Sequence, residues 1–240
     1  MRSRLAFAIA LLVLALPAEA RHRRSRKPAA ALALNGGAAA VRWTDGDTFR
    51  ILDGPYRGRR ARLEGYNTLE TFGPVHRWGT WSPVELLALA RAATPVAASQ
   101  SWSCTTSGVQ DRYRRMLVAC PRAAAVLVRH GLAMVYAMEG HADPALLARQ
   151  REAQQRRAGM WAKGVPRGIV TNVHSAAENS NGSAYNRVVD TGTGIASGRP
   201  HSVAYATCEL VCEETGGGRA CMVYVPFERR YRHKPSCLRW

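Results

Sequence analysis

The chain has 240 residues, of which 34 are Lys or Arg and 17 are Asp or Glu, so its formal net charge at pH 7 is +17. After residue 20 no segment reaches the roughly 20 consecutive apolar residues that a membrane span needs, which excludes a protein built from several such spans. The length suits one ordinary domain and a smaller second one. The basic excess favours a polyanionic partner, although it would also suit a solubility device or a cell-wall-binding surface.

The N-terminus has the three parts of a secretory signal peptide. Arg2 and Arg4 form a basic region, residues 5–16 are an apolar run, and residues 18–20 (Ala-Glu-Ala) provide a small-x-small cleavage pattern. The run is too short to span a bilayer, although a retained membrane anchor is the alternative. We therefore expect a signal peptide at residues 1–20 and a secreted or periplasmic protein without membrane attachment after cleavage.

Residues 21–37 are predicted to form a flexible basic arm, because a run of Arg, His and Lys is followed by Pro28 and an Ala-rich stretch. Strands are then expected at residues 38–43, 47–52 and 59–64, separated by Asp-Gly and Gly-Pro turn sequences.

A helix should follow the third strand. Ser82 is a suitable N-cap, Pro83 occupies the first helical position, and Glu85 completes the pattern of a capping box. The elements expected from this point are a helix to about residue 93, strands at 97–104 and 115–120, and helices at 123–130 and 144–158. This order predicts a mainly β fold with helices (α+β), a five-stranded Greek-key barrel with three helices over residues 38–165.

Residues 171–240 are predicted to form a small, basic, disulfide-bonded C-terminal domain. An even number of cysteines in an exported chain favours disulfides. Cys104 and Cys120 flank one turn and are expected to pair, whereas the last four cysteines allow three pairings, with structural zinc as the alternative. The cysteines are Cys104, Cys120, Cys208, Cys212, Cys221 and Cys237. Residues 227–234 interleave aromatic and basic side chains, which suits either a polyanion surface or simply a basic face.

Three short motifs carry the chemistry. An Asp-Gly-Asp-Thr turn at residues 45–48 precedes Arg62, with a polar residue five positions and Glu70 eight positions further on, and residues 111–115 (Asp-Arg-Tyr-Arg-Arg) offer a second cation. Phosphodiester hydrolysis needs an activated water and positive charge on the phosphate oxygens, which a hard cation and arginines supply. The set is therefore typical of a phosphodiesterase site.

The chain from about residue 41 to 161 resembles the staphylococcal nuclease (thermonuclease) family, whose members have an OB-fold and use calcium to hydrolyse DNA and RNA. Five motifs carry this resemblance in order, at residues 41–48, 62–70, 111–115, 127–133 and the closing helix to Trp161. The resemblance implies an OB-fold domain, Ca²⁺ as the divalent cofactor and DNA and/or RNA as substrate.

Site residues follow position by position from that resemblance. It implies metal ligands at Asp47, Asn67 and Thr68, catalytic roles for Arg62, Glu70 and Arg115, and a substrate pocket at Arg112, Tyr113 and Tyr136. Glu70 corresponds to the carboxylate that orients or deprotonates water, and Thr68 would act through its backbone carbonyl. Asp45 is better explained as a turn residue that bonds the backbone, and Tyr113 could equally be a packing residue.

Asn67 departs from the family pattern, which usually has a second metal-binding Asp at this position. An amide oxygen still binds a hard cation but without the formal charge, so calcium affinity should fall. Glu64 would either supply that charge or pair with Arg62.

We therefore expect an exported, monomeric, metal-dependent nuclease with little sequence specificity, which leaves a 5′-hydroxyl and a 3′-phosphate. The alternative is an OB-fold nucleic-acid-binding protein that has lost catalysis through Asn67. A basic cell-surface adhesion module is a third interpretation, but it leaves the grouped motifs unexplained.

Overall fold

The structure is a computed structural model that describes residues 30–138, 140–216 and 218–239. The predicted signal peptide and residues 21–29 of the predicted arm lie outside the described residues. None of the helices in the described part is long and apolar enough to cross a membrane.

Within these ranges the chain forms strands β1 to β14 and helices α1 to α3. In chain order the strands are β1 (Ala30–Leu34), β2 (Gly37–Trp43), β3 (Thr48–Ile51), β4 (Arg60–Leu63), β5 (Gly65–Thr68), β6 (His76–Trp78), β7 (Ser103–Cys104), β8 (Met116–Val118), β9 (Ala133–Tyr136), β10 (Gly168–Asn172), β11 (Ala184–Asp190), β12 (Ala196–His201), β13 (Leu210–Glu214) and β14 (Arg219–Val223). The helices are α1 (Pro83–Ala98), α2 (Pro121–Arg129) and α3 (Pro144–Gln155).

The first half of the chain forms a nearly closed, barrel-like sheet with strand order β7-β1-β2-β3-β4-β8, beside which β5 pairs with β9. Neighbours from β1 to β4 are antiparallel, whereas β7 and β8 add in parallel at the two edges. Alternate residues such as Val41, Trp43, Phe49 and Ile51 are buried in the core, as expected for strands with one face inward. The predicted mixed, strand-rich fold with three helices is confirmed.

Two details of the predicted barrel are wrong. The sheet has six strands instead of five, since residues 30–37, which we placed in the flexible arm, form β1 and its turn to β2. The Ala-rich sequence hid this strand because Ala has low β-propensity. It is held by pairing with β2 and by burial of Leu32 and Leu34.

Helix α1 begins as predicted and ends later. The Ser82 hydroxyl accepts a hydrogen bond from the Glu85 amide at 3.3 Å, and the Glu85 carboxylate accepts one from the Ser82 amide at 3.0 Å. The helix continues through Pro95 to Ala98, so the predicted strand at 97–104 is reduced to β7. Pro95 removes one backbone hydrogen bond, and the helix is held against the barrel by its buried residues Ala93 and Ala97.

The tail after residue 165 packs on the barrel region. Strands β10, β11 and β12 form one sheet, while β13 and β14 extend β6, with Ala220 opposite Trp78 and Met222 opposite His76. One hydrophobic core contains Leu69, Phe72 and Trp78 together with tail residues such as Ile169, Val188, Met222 and Leu238. Since burying one large apolar side chain contributes about 1.5–3 kcal/mol, this shared core ties the tail firmly to the barrel region.

Disulfides form as the cysteine count predicted. Cys104 bonds to Cys120, and the tail contains the pairs Cys208–Cys237 and Cys212–Cys221. Among the described residues no cysteine is free. Three disulfides suggest folding in an oxidising environment.

Candidate active site

The turn between β2 and β3 is locked against α1. A Cβ atom added to Gly46 would lie 2.7 Å from the Cβ of Ala93 and 2.7 Å from Cγ2 of Thr68, so only glycine fits. The Tyr66 hydroxyl donates to the Gly46 carbonyl at 2.9 Å. As a result, the carboxylates on either side of Gly46 are fixed relative to the sheet.

Asp47 is a buried carboxylate with four hydrogen-bond donors. One oxygen accepts from the Thr48 hydroxyl at 3.0 Å and pairs with Arg62, and the other accepts from the amide (2.8 Å) and the hydroxyl (3.0 Å) of Thr68. Burial alone would raise the pKa of Asp47, but the Arg62 charge and the Thr68 amide lower it overall. Asp47 is therefore ionised.

Asp45 bonds the backbone, as we predicted, and its environment shifts its pKa in the opposite direction from that of Asp47. Its carboxylate accepts a hydrogen bond from the Asp47 amide at 3.2 Å. Burial raises the pKa of Asp45 well above its usual range, and the charge of Asp47 raises it further. Two carboxylates with opposite pKa shifts thus occupy one turn.

Arg62 points from β4 into this group of carboxylates. Besides Asp47, its guanidinium donates to the Tyr66 carbonyl at 3.3 Å and to the side-chain oxygen of Asn67. The Tyr136 ring centre lies 5.9 Å from the guanidinium carbon. The contacts with Asp47, Tyr66 and Asn67 therefore fix the orientation of the Arg62 guanidinium, and the Tyr136 ring lies next to it.

Asn67 and Thr68 lie beside Asp47, but their predicted metal-binding oxygens are occupied in this arrangement. The side-chain oxygen of Asn67 accepts from Arg62, and its amide nitrogen donates to the Thr68 carbonyl at 2.9 Å. Their roles as ligands therefore stay predictions.

Glu70 lies on the loop after β5, and its backbone is held by a buried histidine. The Glu70 amide donates to Nε2 of His76 at 3.2 Å. Burial lowers the pKa of His76 to about 4, so the ring is neutral at pH 7 and can accept this bond. Burial also raises the pKa of Glu70, an effect that the charges of Arg230, Arg62 and Arg115 oppose.

Arg115 is positioned by Asp111. One Asp111 oxygen accepts from Nε and Nη2 of Arg115, both at 2.7 Å, and the other accepts the backbone amides of Tyr113 (2.8 Å) and Arg115 (2.9 Å). Tyr113 is 48% exposed and lies 4.7 Å from the Arg112 guanidinium carbon, so it is a surface residue and packs little in the core. Arg112 also lies 5.6 Å from the Tyr185 ring of the tail.

The site offers the ligand type that a hard divalent cation prefers, since Asp45, Asp47 and Glu70 carry carboxylate oxygens and Asp47 raises the pKa of the other two through its charge. In the described part of the chain, however, no group of three or more His, Cys, Asp or Glu side chains is arranged to hold a metal ion. A metal bound to Asp47 would have to replace one of its four hydrogen bonds.

The roles of two residues, Asp111 and His76, were not predicted from the sequence. Asp111 lies inside a motif that was selected for its arginines, and its Asx-type turn was a usable indication. His76 lies only six positions after Glu70 but belongs to no recognisable motif. Arg230 was expected only as one of the basic residues at 227–234, because the pairing of β6 with β14 that brings the tail to this loop is not visible in the sequence.

Comparisons with known proteins agree with the resemblance over part of the chain. Residues 67–163 match the family described as staphylococcal nuclease homologue. This range contains Glu70 and Arg115, whereas Asp47 and Arg62 precede it. No curated protein matches the chain. Residues 67–163, less than half of the chain, are therefore similar to the staphylococcal nuclease homologue family.

Proposed function

We propose that this protein is an exported, monomeric, calcium-dependent nuclease that cuts DNA and/or RNA with little sequence specificity. The proposal is supported above all by the electrostatics of Glu70, because Arg62 and Arg115, which come from separate segments, both lower the pKa of this partly buried carboxyl and Asp47 raises it. The family match over residues 67–163 supports a nucleic-acid substrate.

In the proposed reaction the arginines bind the scissile phosphate. Their planar guanidinium groups stay protonated at any working pH and stabilise the charge that grows on the non-bridging oxygens in the transition state. Because Asp47 and Asp111 hold these groups in place, little reorganisation is needed when the phosphate arrives.

Glu70 acts as the general base. Its pKa is raised by burial, which makes it a better proton acceptor than an exposed carboxylate. It accepts a proton from the attacking water, whose oxygen forms the new bond to phosphorus. The bond from phosphorus to the 5′ oxygen breaks, and that oxygen takes a proton from solvent, which leaves a 5′-hydroxyl and a 3′-phosphate.

Asp47 would hold the divalent cation, with Asn67 and the Thr68 carbonyl as further oxygens after rearrangement. When bound, the cation supplies charge neutralisation at the phosphate and lowers the pKa of a coordinated water.

A binding protein without catalysis is the second candidate. It is favoured by one observation, that Asp47 is fully hydrogen-bonded and its neighbour Asn67 lacks the charge expected of a metal ligand.

Cleavage of a labelled oligonucleotide with calcium, followed by mass spectrometry of the fragment ends, tests the proposed reaction. We expect 3′-phosphate and 5′-hydroxyl ends. Fragments with 5′-phosphate ends would contradict the mechanism, and tight binding without cleavage by the pure protein would establish the second candidate.

A further inference from the structure

Residues 226–235 of the tail, here called the tail segment, lie against the loop that carries Glu70. Nζ of Lys234 donates to the Phe72 carbonyl at 2.8 Å, and the Tyr231 ring lies edge-on to the Phe72 ring at 6.1 Å between centres. Just beyond the segment, Leu238 packs so tightly on Gly73 that a Cβ there would lie 2.3 Å from its Cδ2 atom. The tail segment therefore forms one side of the candidate active site.

Arg230 is the cation of this segment that is best oriented. Its Nε donates to the Val225 carbonyl at 3.1 Å. Its guanidinium carbon lies 5.0 Å from the Phe72 ring centre and 5.9 Å from that of Phe227, so aromatic rings hold the planar group. Among the described residues, no hydrogen bond or ion pair engages its two terminal nitrogens.

This arrangement differs from that of the two arginines already assigned to the site. Arg62 is paired with Asp47, and Arg115 with Asp111, whereas Arg230 has no carboxylate partner in the described part of the chain. Its guanidinium packs on Phe72, two residues after Glu70, and its charge lowers the pKa of that carboxyl. An oriented guanidinium with unused donors suits a phosphate, which accepts two parallel hydrogen bonds.

We propose that Arg230 binds a phosphate of a single-stranded nucleic acid lying in the candidate active site, while Phe227 and Tyr231 stack on its unpaired bases. These two rings are 67% and 63% exposed, although they flank a half-buried cation. Exposed aromatic rings next to a bound cation are the pattern by which proteins hold single strands. The inference rests on the proposed function for the identity of the site and extends it by giving the tail a direct role.

The test uses the full chain and compares Arg230→Gln with Arg232→Gln. Arg232 is an exposed cation two positions away in the same segment, so its substitution removes an equal charge but leaves the oriented guanidinium of Arg230 in place. Arg230→Lys keeps the charge and loses the planar fork. For each protein, kcat and KM are measured with calcium on a short single-stranded oligonucleotide, and binding of the same labelled oligonucleotide is measured in chelator. Thermal unfolding checks that each variant is folded.

We expect Arg230→Gln to lower kcat/KM and to weaken binding by about 10-fold or more, as loss of a charged phosphate contact should, with Arg230→Lys in between. Arg232→Gln should stay within about twofold of the parent on this short substrate. Equal effects of Arg230→Gln and Arg232→Gln would overturn the inference.

The two readouts separate this inference from the nuclease proposal. If the parent binds the oligonucleotide but never cuts it, the nuclease proposal fails and the binding data alone decide the role of Arg230. If the parent neither cuts nor binds, both proposals fail.

Discussion

The turn at residues 45–48 and the tail segment meet at Glu70 with opposite kinds of structure. In the turn the Asp47 carboxylate is balanced locally by Arg62 and Thr68. In the tail segment Arg230 is held by rings and a carbonyl, and in the described part of the chain it forms no ion pair with a carboxylate. The turn therefore provides a rigid network whose hydrogen bonds are made within the protein. The tail segment provides a cation, Arg230, that is available to a ligand.

The turn and the tail segment are also held in place by different contacts. The turn depends on contacts within the barrel, above all the packing of Gly46 on α1. The tail segment depends on long-range structure, namely the pairing of β14 with β6 and the Cys208–Cys237 disulfide. The two regions should therefore respond differently to mutation.

The largest expected effect is on catalysis by the barrel arginines. Arg115→Gln should lower kcat by about 10²–10³-fold, since it removes a donor that acts on the transition state. Arg114→Gln is the matched control, because Arg114 is exposed in the same loop. Steady-state kinetics give kcat for both variants. Equal kcat values for Arg115→Gln and Arg114→Gln would remove Arg115 from the mechanism.

Removing a disulfide from the tail or from the barrel shows how much each bond contributes to the free energy of unfolding. Replacing both Cys208 and Cys237 by Ser should lower the free energy of unfolding by about 2–4 kcal/mol, because the unfolded chain regains the freedom of a 29-residue separation. The same change at Cys104 and Cys120 frees a shorter loop of 16 residues, but it also places two hydroxyls at positions that are 1% and 2% exposed, so it should cost at least as much. Urea unfolding measures both. If the tail pair is lost without effect on stability, that bond does not hold the tail in place.

Alanine substitutions at Gly46 and Gly73 test how rigid the packing is around the turn and next to the tail. Gly46→Ala should destabilise the protein by about 1–3 kcal/mol, because the new methyl meets the short Ala93 side chain, which cannot move aside. Gly73→Ala should cost less, because the flexible end of Leu238 can rotate away. Gly37→Ala, which meets only an ordinary contact at 3.6 Å, is the control. The midpoints of thermal unfolding should follow that order, and a reversed order of Gly46 and Gly73 would contradict it.

The smallest effect concerns the missing charge. Asn67→Asp should tighten calcium binding by several fold, because it adds a carboxylate beside Asp47. Asn179→Asp, an exposed change on the tail, controls for the added charge alone. Calorimetric titration with calcium compares them, and identical affinities for the two variants would mean that position 67 does not contact the metal.

The sequence predicted several local features of the barrel region, because the information for them lies in a few neighbouring residues. The Asp-Gly-Asp-Thr turn, the spacing from Arg62 to Glu70 and the capping box at Ser82 each depend on a few consecutive residues. The pairing of Cys104 with Cys120 was equally accessible, since one turn separates them.

What escaped prediction is non-local or atypical in composition. The Ala-rich β1 has weak strand propensity and is defined by its partner β2. The aromatic and basic residues at 227–234 suited either a polyanion surface or a basic face, but their position against the loop that carries Glu70 follows from strand pairing that no local pattern encodes.

The most direct test of calcium-dependent cleavage with Glu70 as the base is a digestion assay on plasmid DNA and RNA. The parent and Glu70→Gln are each assayed with calcium and again after addition of chelator. We expect the parent to degrade nucleic acid with calcium and to stop when chelator is added, and Glu70→Gln, purified identically, to be slower by at least about 10²-fold. A parent that never cuts with calcium, or a Glu70→Gln variant that is as active as the parent, would contradict this proposal.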